Sequence, residues 1–474
     1  MEITLIGYFI LPLGLLLSLN TKYVYYAFLF FVPFSASSVI NIESITFGLQ
    51  IPYYLAILWI LKILIVRFIK NNFYIDKTTL KFLMPIVIFW IIALLSLIMP
   101  IVLEHKILVH YPEDPFKFSP LEFKRIYITQ FLYLTFVMLV LIFTTLYVNT
   151  REKFYKSLKI LLLSAVFVCI WGLFQFIAFY TNIPYPYWLF NNNIGYSQGY
   201  NQTIFGVVKR ISSVLTEPSK LAGYLLWILP LFMVLYSKNA KSIIMFLSNL
   251  LILLILLIST STTAYAGVVF NFIVIVFYSI AIKKKKLFFK ITFKKRIFIN
   301  FLREFMIAIF VIILTIFTVL HVLNIKINIL EALEFVTTEK FATHSGIERG
   351  LGALKSFDIF LHEPLLGVGW GSNRSFDLNT MLLSNTGILG FVSFWFFIYQ
   401  ILKQLYKISL NNYLSLKDRN LSIALFFSIM SGIFAHVIAD PDIIDLIMWV
   451  ILGLSISFIR LIKKEMKTIA ENNY

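Results

Sequence analysis

The chain has 474 residues, of which 60% are hydrophobic and only 14% are charged. Soluble globular domains are nearer ~45–50% apolar and ~25% charged, and the mean hydropathy of +0.87 sets this chain apart from them. The composition excludes disordered, collagen-like and disulfide-scaffold proteins, and the single cysteine, Cys169, excludes internal disulfides and zinc clusters of several cysteines. The chain is therefore predicted to be an all-α, polytopic membrane protein that forms one membrane domain over residues 1–474.

Apolar windows close to the ~20 residues that cross a bilayer core recur along the whole chain. They lie at 3–19, 23–40, 50–69, 82–103, 126–148, 158–180, 220–236, 242–259, 262–282, 304–324, 379–402, 420–439 and 443–461. These windows predict about 12 or 13 transmembrane helices. The least distinct boundaries are the hairpin at Asn20–Lys22 and the short connection at Ser259–Thr263.

The net charge of +18 is distributed unevenly between alternate connections. Most of the 41 Lys and Arg residues lie in one set of connections, at 67–81, 151–159, 283–303, 403–419 and 460–467. Because basic connections stay in the cytoplasm, this side is predicted to be cytoplasmic, with the C-terminus inside and the N-terminus outside. The basic run Lys283–Arg296 is interpreted as a topology signal, so no nucleic-acid partner is predicted.

The opposite, outer side carries three long connections, at 104–125, 181–219 and 325–378. The last one lies between predicted helices 10 and 11, and its length of about 54 residues is typical of a functional loop. All six histidines fall in outer connections or at outer helix ends. Polar chemistry is therefore predicted on the outer face.

A polar stretch at 209–220 leads into the seventh predicted span. Pro218 is typical of a helix start, and Glu217 just before it would interact favourably with the positive end of the helix dipole. Arg210 and Lys220 can be interpreted as interfacial residues and Glu217 as a simple cap. However, cations on the outer side oppose the topology signal. Their presence there therefore favours a binding role for Arg210 and Lys220.

A second segment lies in the large outer loop, where an apolar helical stretch through Phe360 is followed by three alternate glycines. They are not preceded by a strand, so they do not form a dinucleotide-binding fingerprint. They are predicted to let the backbone approach a ligand or turn tightly. An amphipathic lid with surface charges is the alternative interpretation of the segment. Its glycines are Gly367, Gly369 and Gly371, and its cationic candidates are Arg349, Lys355 and Arg374.

Two further patterns have a simple structural explanation beside a functional one. Asp440-Pro-Asp442 matches the Asp-x-Asp metal pattern of nucleotide-sugar transferases, but capping of the last helix by Asp442 also explains it. Tyr187, Trp188 and Trp370 form either an interfacial aromatic belt or platforms that stack on sugar rings. No metal and no cofactor are predicted.

Three stretches resemble the O-antigen polymerase and O-antigen ligase family of bacterial envelope glycan enzymes. Arg210–Ala222 is similar to the family's Arg-x-x-(Ser/Gly) stretch that runs to Pro-(Ser/Asn) before a span. Arg349–Gly371 is similar to its Arg-to-Gly-x-Gly-x-Gly stretch, and Leu382–Gly390 resembles its Gly-Ile-Leu-Gly helix opening. The ligase branch usually carries a His-Asn pair where this chain has Phe376–Asp377, which favours the polymerase branch.

The resemblance implies a membrane glycosyltransferase that polymerises undecaprenyl-pyrophosphate-linked oligosaccharide repeat units into O-antigen or capsular polysaccharide. The reaction would occur at the outer face of the bacterial cytoplasmic (inner) membrane. The implied partners are the lipid-linked glycan donor and acceptor, the lipid bilayer, a chain-length regulator and a flippase. The alternatives are an O-antigen ligase that transfers glycan to lipid A core, and a lipid-linked oligosaccharide flippase.

The implied reaction assigns roles to the polar residues. Arginine suits a pyrophosphate leaving group because its planar fork binds phosphate bidentately and stays charged. The predicted pyrophosphate ligands are Arg210 and Arg349, assisted by Arg374, Lys355 or Lys220. The acceptor hydroxyl needs a base, and the candidates are Glu217 first, Asp377 second and His344 third.

Overall fold

The computed structural model describes residues 1–69, 75–110, 117–181, 183–196, 203–204, 208–238, 243–284, 344–439 and 441–472, with isolated positions between 299 and 310. The helices are α1 (Leu5–Ser18), α2 (Thr21–Phe31), α3 (Ile51–Ile69), α4 (Lys77–Ser96), α5 (Met99–Val102), α6 (Arg125–Tyr147), α7 (Arg151–Tyr180), α8 (Tyr187–Phe190), α9 (Pro218–Lys238), α10 (Ile243–Ile258), α11 (Thr262–Lys284), α12 (His344–His362), α13 (Leu378–Leu410), α14 (Leu416–Ala439) and α15 (Leu446–Asn472). The strands are β1 (Glu2–Ile3), β2 (Ser38–Ile42), β3 (Phe47–Gln50), β4 (Leu108–His110), β5 (Phe118–Pro120), β6 (Thr203–Ile204) and β7 (Val208–Lys209).

Within the described residues, 7 helices are long and apolar enough to cross a membrane. They are α3, α4 with its continuation into α5, α6, α7, α13, α14 and α15. Shorter apolar helical stretches lie in α1, α9, α10 and α11. The prediction of a helical, polytopic membrane protein is confirmed at this level, and the predicted break at Ser259–Thr263 separates α10 from α11.

The N-terminal region differs from the prediction. Helices α1 and α2 have 14 and 11 residues, and at 1.5 Å per residue neither reaches the ~30 Å of a bilayer core. Helix α2 ends at Phe31, and the chain continues into β2, which pairs antiparallel with both β1 and β3. The prediction of one span over 23–40 is therefore wrong. Of the predicted span at 304–324, the structure describes only positions 306, 307 and 310. The residues of the predicted outer loop up to 343 also lie outside the described residues.

Ion pairs join connections that the charge pattern assigns to the same side. Arg151 at the start of α7 contacts Asp418 of α14 and lies 2.6 Å from Glu465 of α15. Arg460 of α15 lies 3.6 Å from Asp76, which caps α4. The basic connections therefore meet at one end of the bundle.

Helix α15 occupies the centre of the bundle. In an 18-residue apolar window within Leu446–Thr468, 89% of the residues are buried. Small residues bring it close to α6: a Cβ on Gly453 would lie 3.1 Å from the carbonyl oxygen of Leu141, and Ser457 donates to the Thr145 carbonyl at 3.1 Å. Such small-residue contacts are the usual basis of tight helix packing in membranes.

A sharp kink interrupts α13 at Gly387, whose φ of 61° lies in the left-handed region. A Cβ at this position would lie 2.2 Å from the Leu365 carbonyl oxygen. The kink exposes backbone groups to the preceding loop, so that Ile388 N–H donates to the Pro364 carbonyl and Val368 N–H donates to the Ser384 carbonyl, both at 2.8 Å. The loop that leads to Arg374 is thereby fixed on α13.

Candidate functional site

A buried, non-helical loop separates Arg210 from the start of α9. The side chains of residues 211–216 are all at most 5% exposed. In an apolar bundle such backbone needs partners within the protein, and Gln175 of α7 supplies one. Its side-chain oxygen accepts from the backbone N–H groups of Ser212 and Ser213, at 2.9 and 2.7 Å.

The loop is also fixed from the opposite side. The Asn191 amide donates to the Ser213 carbonyl at 3.0 Å, and Ala36 N–H donates to the Val214 carbonyl at 3.1 Å. Helix α9 then begins at Pro218, as predicted, and the Ser219 hydroxyl donates to the Glu217 carboxylate at 3.1 Å. Arg210 and Glu217 therefore stand at the two ends of a rigid loop.

A polar cavity of about 460 Å³ opens beside Glu217. It lies at the end of the bundle away from the Arg151 ion pairs, where α9 begins and α14 ends. Its charged, amide and phenolic lining residues are Gln50, Tyr53, Gln130, Tyr196, Glu217, Lys220, Tyr224, Arg374, His436, Asp442 and Asp445.

Lys220 is already engaged by carboxylates across this cavity. Its Nζ lies 3.2 Å from Asp442 Oδ2 and 3.3 Å from Asp445 Oδ2. Desolvation would raise the pKa of the Asp442 carboxyl, but the positive charges of Lys220 and Arg374 lower it to about 2. Lys220 thus holds the connection before α15. Since α15 begins only at Leu446, the prediction that Asp442 caps it is wrong.

Arg374 is positioned through its neighbour Asn373, which is 2% exposed. The Asn373 amide donates to the hydroxyls of Ser356 on α12 and Ser384 on α13, both at 3.0 Å. Its side-chain oxygen accepts a hydrogen bond from the backbone N–H of His110 at 3.1 Å, and the backbone N–H of Arg374 donates to the His110 carbonyl at 2.7 Å. One buried amide therefore joins two helices and a strand immediately beside Arg374.

Arg210 and Arg349, from two different predicted segments, come within electrostatic range of each other. Burial lowers the pKa of Arg210, the neighbouring Arg349 lowers it further, and Glu217 opposes both by raising it. Arg349 itself lies on the exposed surface of α12. Two like charges held close favour an anion that can neutralise both.

Lys355 is placed differently from the two arginines. It forms an ion pair with Asp358 one turn further along α12, with Nζ 2.7 Å from Oδ2. It also lies near His110, because its charge contributes to lowering the pKa of that imidazole. The structure does not bring Lys355 into the lining of the polar cavity.

The three candidate bases have different positions. Glu217 lines the cavity. Asp377 is the N-cap of α13, where its carboxylate accepts from the Thr380 N–H at 3.0 Å and contacts the Thr380 hydroxyl, and it does not line the cavity. The backbone of His344 starts α12, and its side chain lies outside the described part. Glu217 is therefore the candidate base with direct access to the cavity.

The predicted sugar platforms do not gather at the cavity. Trp370 is only 4% exposed, and its ring packs edge-on against Phe89 at 5.7 Å. A buried core indole cannot stack on a sugar, so this part of the prediction is wrong. Tyr187 packs against Tyr185 at 4.7 Å, and Trp188 is 57% exposed on α8; neither lines the cavity.

The three alternate glycines turn tightly, as one of the two predictions requires. Gly367, Gly369 and Gly371 have φ values of 65°, 111° and 76°. A Cβ on Gly367 would lie 2.3 Å from the Ser384 carbonyl oxygen, and one on Gly371 would lie 2.8 Å from Gln130 Cβ. The atoms that approach these glycines belong to the protein itself, so the glycines serve packing of the loop.

Several residues of the site were not anticipated from the sequence. Gln175 and His436 are 0% and 2% exposed, and both lie in apolar helices. A buried polar residue within a membrane helix is itself a functional signal, and this signal could have identified both. Asn373 and Asp445 carry no such signal, because their roles depend on distant partners.

The described residues contain no group of three or more His, Cys, Asp and Glu side chains that could hold a metal ion, and Asp440 lies outside them. Comparison of the sequence with models of known protein families gave no match, and comparison with curated proteins gave none either. The candidate site therefore rests on the residues and their geometry.

Proposed function

We propose that this chain is a membrane glycosyltransferase that polymerises undecaprenyl-pyrophosphate-linked oligosaccharide repeat units. The product would be O-antigen or capsular polysaccharide, made at the outer face of the bacterial cytoplasmic membrane. The observation that carries the proposal is that Arg210 lies within electrostatic range of both Arg349 and Glu217, and that Glu217 lines a polar cavity in a membrane bundle. The sequence resemblance of the same two segments to the polymerase branch supports it.

The arrangement suits displacement of a pyrophosphate. The bond between the donor sugar's anomeric carbon and the pyrophosphate oxygen breaks, and its electron pair leaves with the pyrophosphate. The hydroxyl oxygen of the acceptor sugar forms the new bond. Two guanidinium groups stabilise the charge that grows on the leaving group, and Glu217 accepts the proton of the attacking hydroxyl.

The cavity is suited to sugars in size and polarity. Its volume of about 460 Å³ lies within the ~300–1,000 Å³ typical of ligand sites. Carboxylates, amides and phenolic hydroxyls alternate around it, and such groups orient the hydroxyls of a saccharide by hydrogen bonds. The basic connections meet at the opposite end of the bundle, which supports an outward-facing cavity.

The test measures elongation by the purified protein in liposomes supplied with undecaprenyl-pyrophosphate-linked repeat units. Arg210→Ala and Arg349→Ala should each lower the elongation rate by about 10²–10³-fold, since each removes stabilisation of the departing charge. The matched control is Arg125→Ala, because Arg125 is an exposed arginine at the start of α6 and is not among the groups whose charge acts on Arg210. Gels of the glycan chain-length ladder provide the readout.

Unchanged ladders in both arginine variants would contradict the proposal. Two other outcomes point to different activities. Sugar transfer to lipid A core without elongation would identify a ligase, and movement of labelled lipid-linked oligosaccharide across the bilayer without any transfer would identify a flippase. A chain-length regulator and a flippase are proposed as partners of the polymerase.

A further inference from the structure

An apolar groove of about 380 Å³ lies between α3 and α6, next to the polar cavity. Its walls include Ile57 of α3 and Leu132 and Phe136 of α6, and the segment Ile45–Gln50 closes one end. Both helices are long enough to cross the membrane. Ile57 and Leu132 are 38% and 61% exposed, so the groove is open at the apolar surface of the bundle.

The groove and the cavity adjoin each other. Both are lined by Gln50, Tyr53, Gly195 and Tyr196. Tyr53 stands at the junction: its ring stacks on Phe136 at 5.1 Å on the groove side. Its hydroxyl donates to the Ile444 carbonyl at 3.3 Å on the cavity side, between the two carboxylates that hold Lys220.

The two adjoining sites favour one kind of ligand. An apolar channel open to the bilayer lies next to a cavity lined by Arg374 and by carboxylates, amides and phenolic hydroxyls, so the two together fit a molecule in which a long hydrocarbon chain is joined to a head that carries sugars and a phosphate group for Arg374. A water-soluble donor would leave the groove empty. An ordinary phospholipid would fill the groove but has no sugars for the cavity.

We propose that the groove between α3 and α6 binds the polyprenyl chain of the lipid-linked donor and leads its pyrophosphate towards the cavity. This inference rests on the proposed function for the identity of the donor. Tyr53 and Tyr196 form the boundary at which the chain ends and the polar head begins, as amphipathic tyrosines do at membrane interfaces.

The test fills the groove and measures binding directly. Leu132→Trp and Ile57→Trp place an indole in the groove from opposite walls. The control is Ile128→Trp, which adds an indole to α6 outside the groove, at a lipid-facing position that is 46% exposed. Radiolabelled undecaprenyl pyrophosphate is titrated onto each purified variant in nanodiscs. The two groove variants should bind it at least about tenfold more weakly than Ile128→Trp, while inorganic pyrophosphate should bind all three alike.

Equal affinities of all three variants for undecaprenyl pyrophosphate would overturn the inference. Displacement of the probe by phosphatidylglycerol at matching concentration would also overturn it, because the groove would then be a general lipid site. If the groove variants lose undecaprenyl pyrophosphate but no protein elongates glycan, the groove assignment stands and the proposed function falls. If elongation proceeds and binding is unchanged, the groove assignment alone falls.

Discussion

Single amide side chains determine where the charged residues of the site lie. Gln175 satisfies two backbone N–H groups of the buried loop beside Arg210, and Asn373 joins α12, α13 and β4 beside Arg374. A buried backbone group without a partner costs about 1–3 kcal/mol. The positions of these arginines therefore depend on neutral neighbours that bind other groups of the protein.

His110 should make the protein less stable in mild acid. Burial lowers the pKa of its imidazole below the usual value of 6.5, and the nearby charge of Lys355 acts in the same direction. The unfolded chain therefore takes up the proton first as the pH falls through about 6.5, so the free energy of unfolding decreases below that pH. We expect the melting temperature in detergent to fall between about pH 7.5 and 5.5, and to fall less in His110→Phe.

Phenylalanine is chosen because it can keep the ring contact with Phe118, whose centroid lies 3.8 Å away. His105→Asn serves as the control for loss of a histidine, since the His105 side chain is 61% exposed. An identical pH dependence in wild type and His110→Phe would refute this role for His110.

At the scale of elements, the kink in α13 should be intolerant of any side chain. Gly387→Ala would place a Cβ in contact with the Leu365 carbonyl at a φ that disfavours L-residues. The combined strain and overpacking should lower the free energy of unfolding by about 2–5 kcal/mol. Unfolding by denaturant in mixed micelles measures this loss.

The control substitution is Gly350→Ala on α12, where a Cβ would meet no atom within 4 Å. Alanine is favoured over glycine in a helix by about 0.5–1 kcal/mol, so this variant should be as stable as wild type or more stable. A similar loss in both variants would show that the kink has no special requirement for glycine.

The elements themselves were predictable where hydropathy is continuous, as in α6 and α7. The prediction failed at 23–40, because a hydropathy window records composition and does not register Pro33, which follows the end of α2. Ser38 beyond it begins β2, and its N–H donates to the Asn192 side chain at 2.8 Å. Such a partner lies far along the chain, and no local pattern reveals it.

The candidate site, like the fold, could be predicted only in part from the sequence. Arg210 and Arg349 were selected as cations on the predicted outer side, and they lie within electrostatic range of each other. The orientation of Trp370 could not be read from the sequence, because its burial depends on Phe89 and Ser96 of α4. The proximity of two charged residues was thus easier to predict than the packing of an aromatic side chain.

For the whole molecule, the distribution of charge predicts which end faces the cytoplasm. Tyr413 lies between α13 and α14 at the basic end of the bundle and is 98% exposed. Trp188 lies on α8, in the connection that leads to the cavity loop, and is 57% exposed. A membrane-impermeant maleimide should label Trp188→Cys on intact cells, and Tyr413→Cys only after the membrane is opened. The native Cys169 is 0% exposed and should give little background in either experiment. The reverse labelling pattern would place the cavity in the cytoplasm, against the proposed function.

The central position of α15 has a consequence for biogenesis. Ribosomes deliver the helices to the membrane in chain order, and α15 comes after the helices that surround it. We expect the earlier helices to stay loosely associated, with lipid between them, until α15 is synthesised. Insertion of α15 then expels that lipid and sets the spacing of the elements around the cavity.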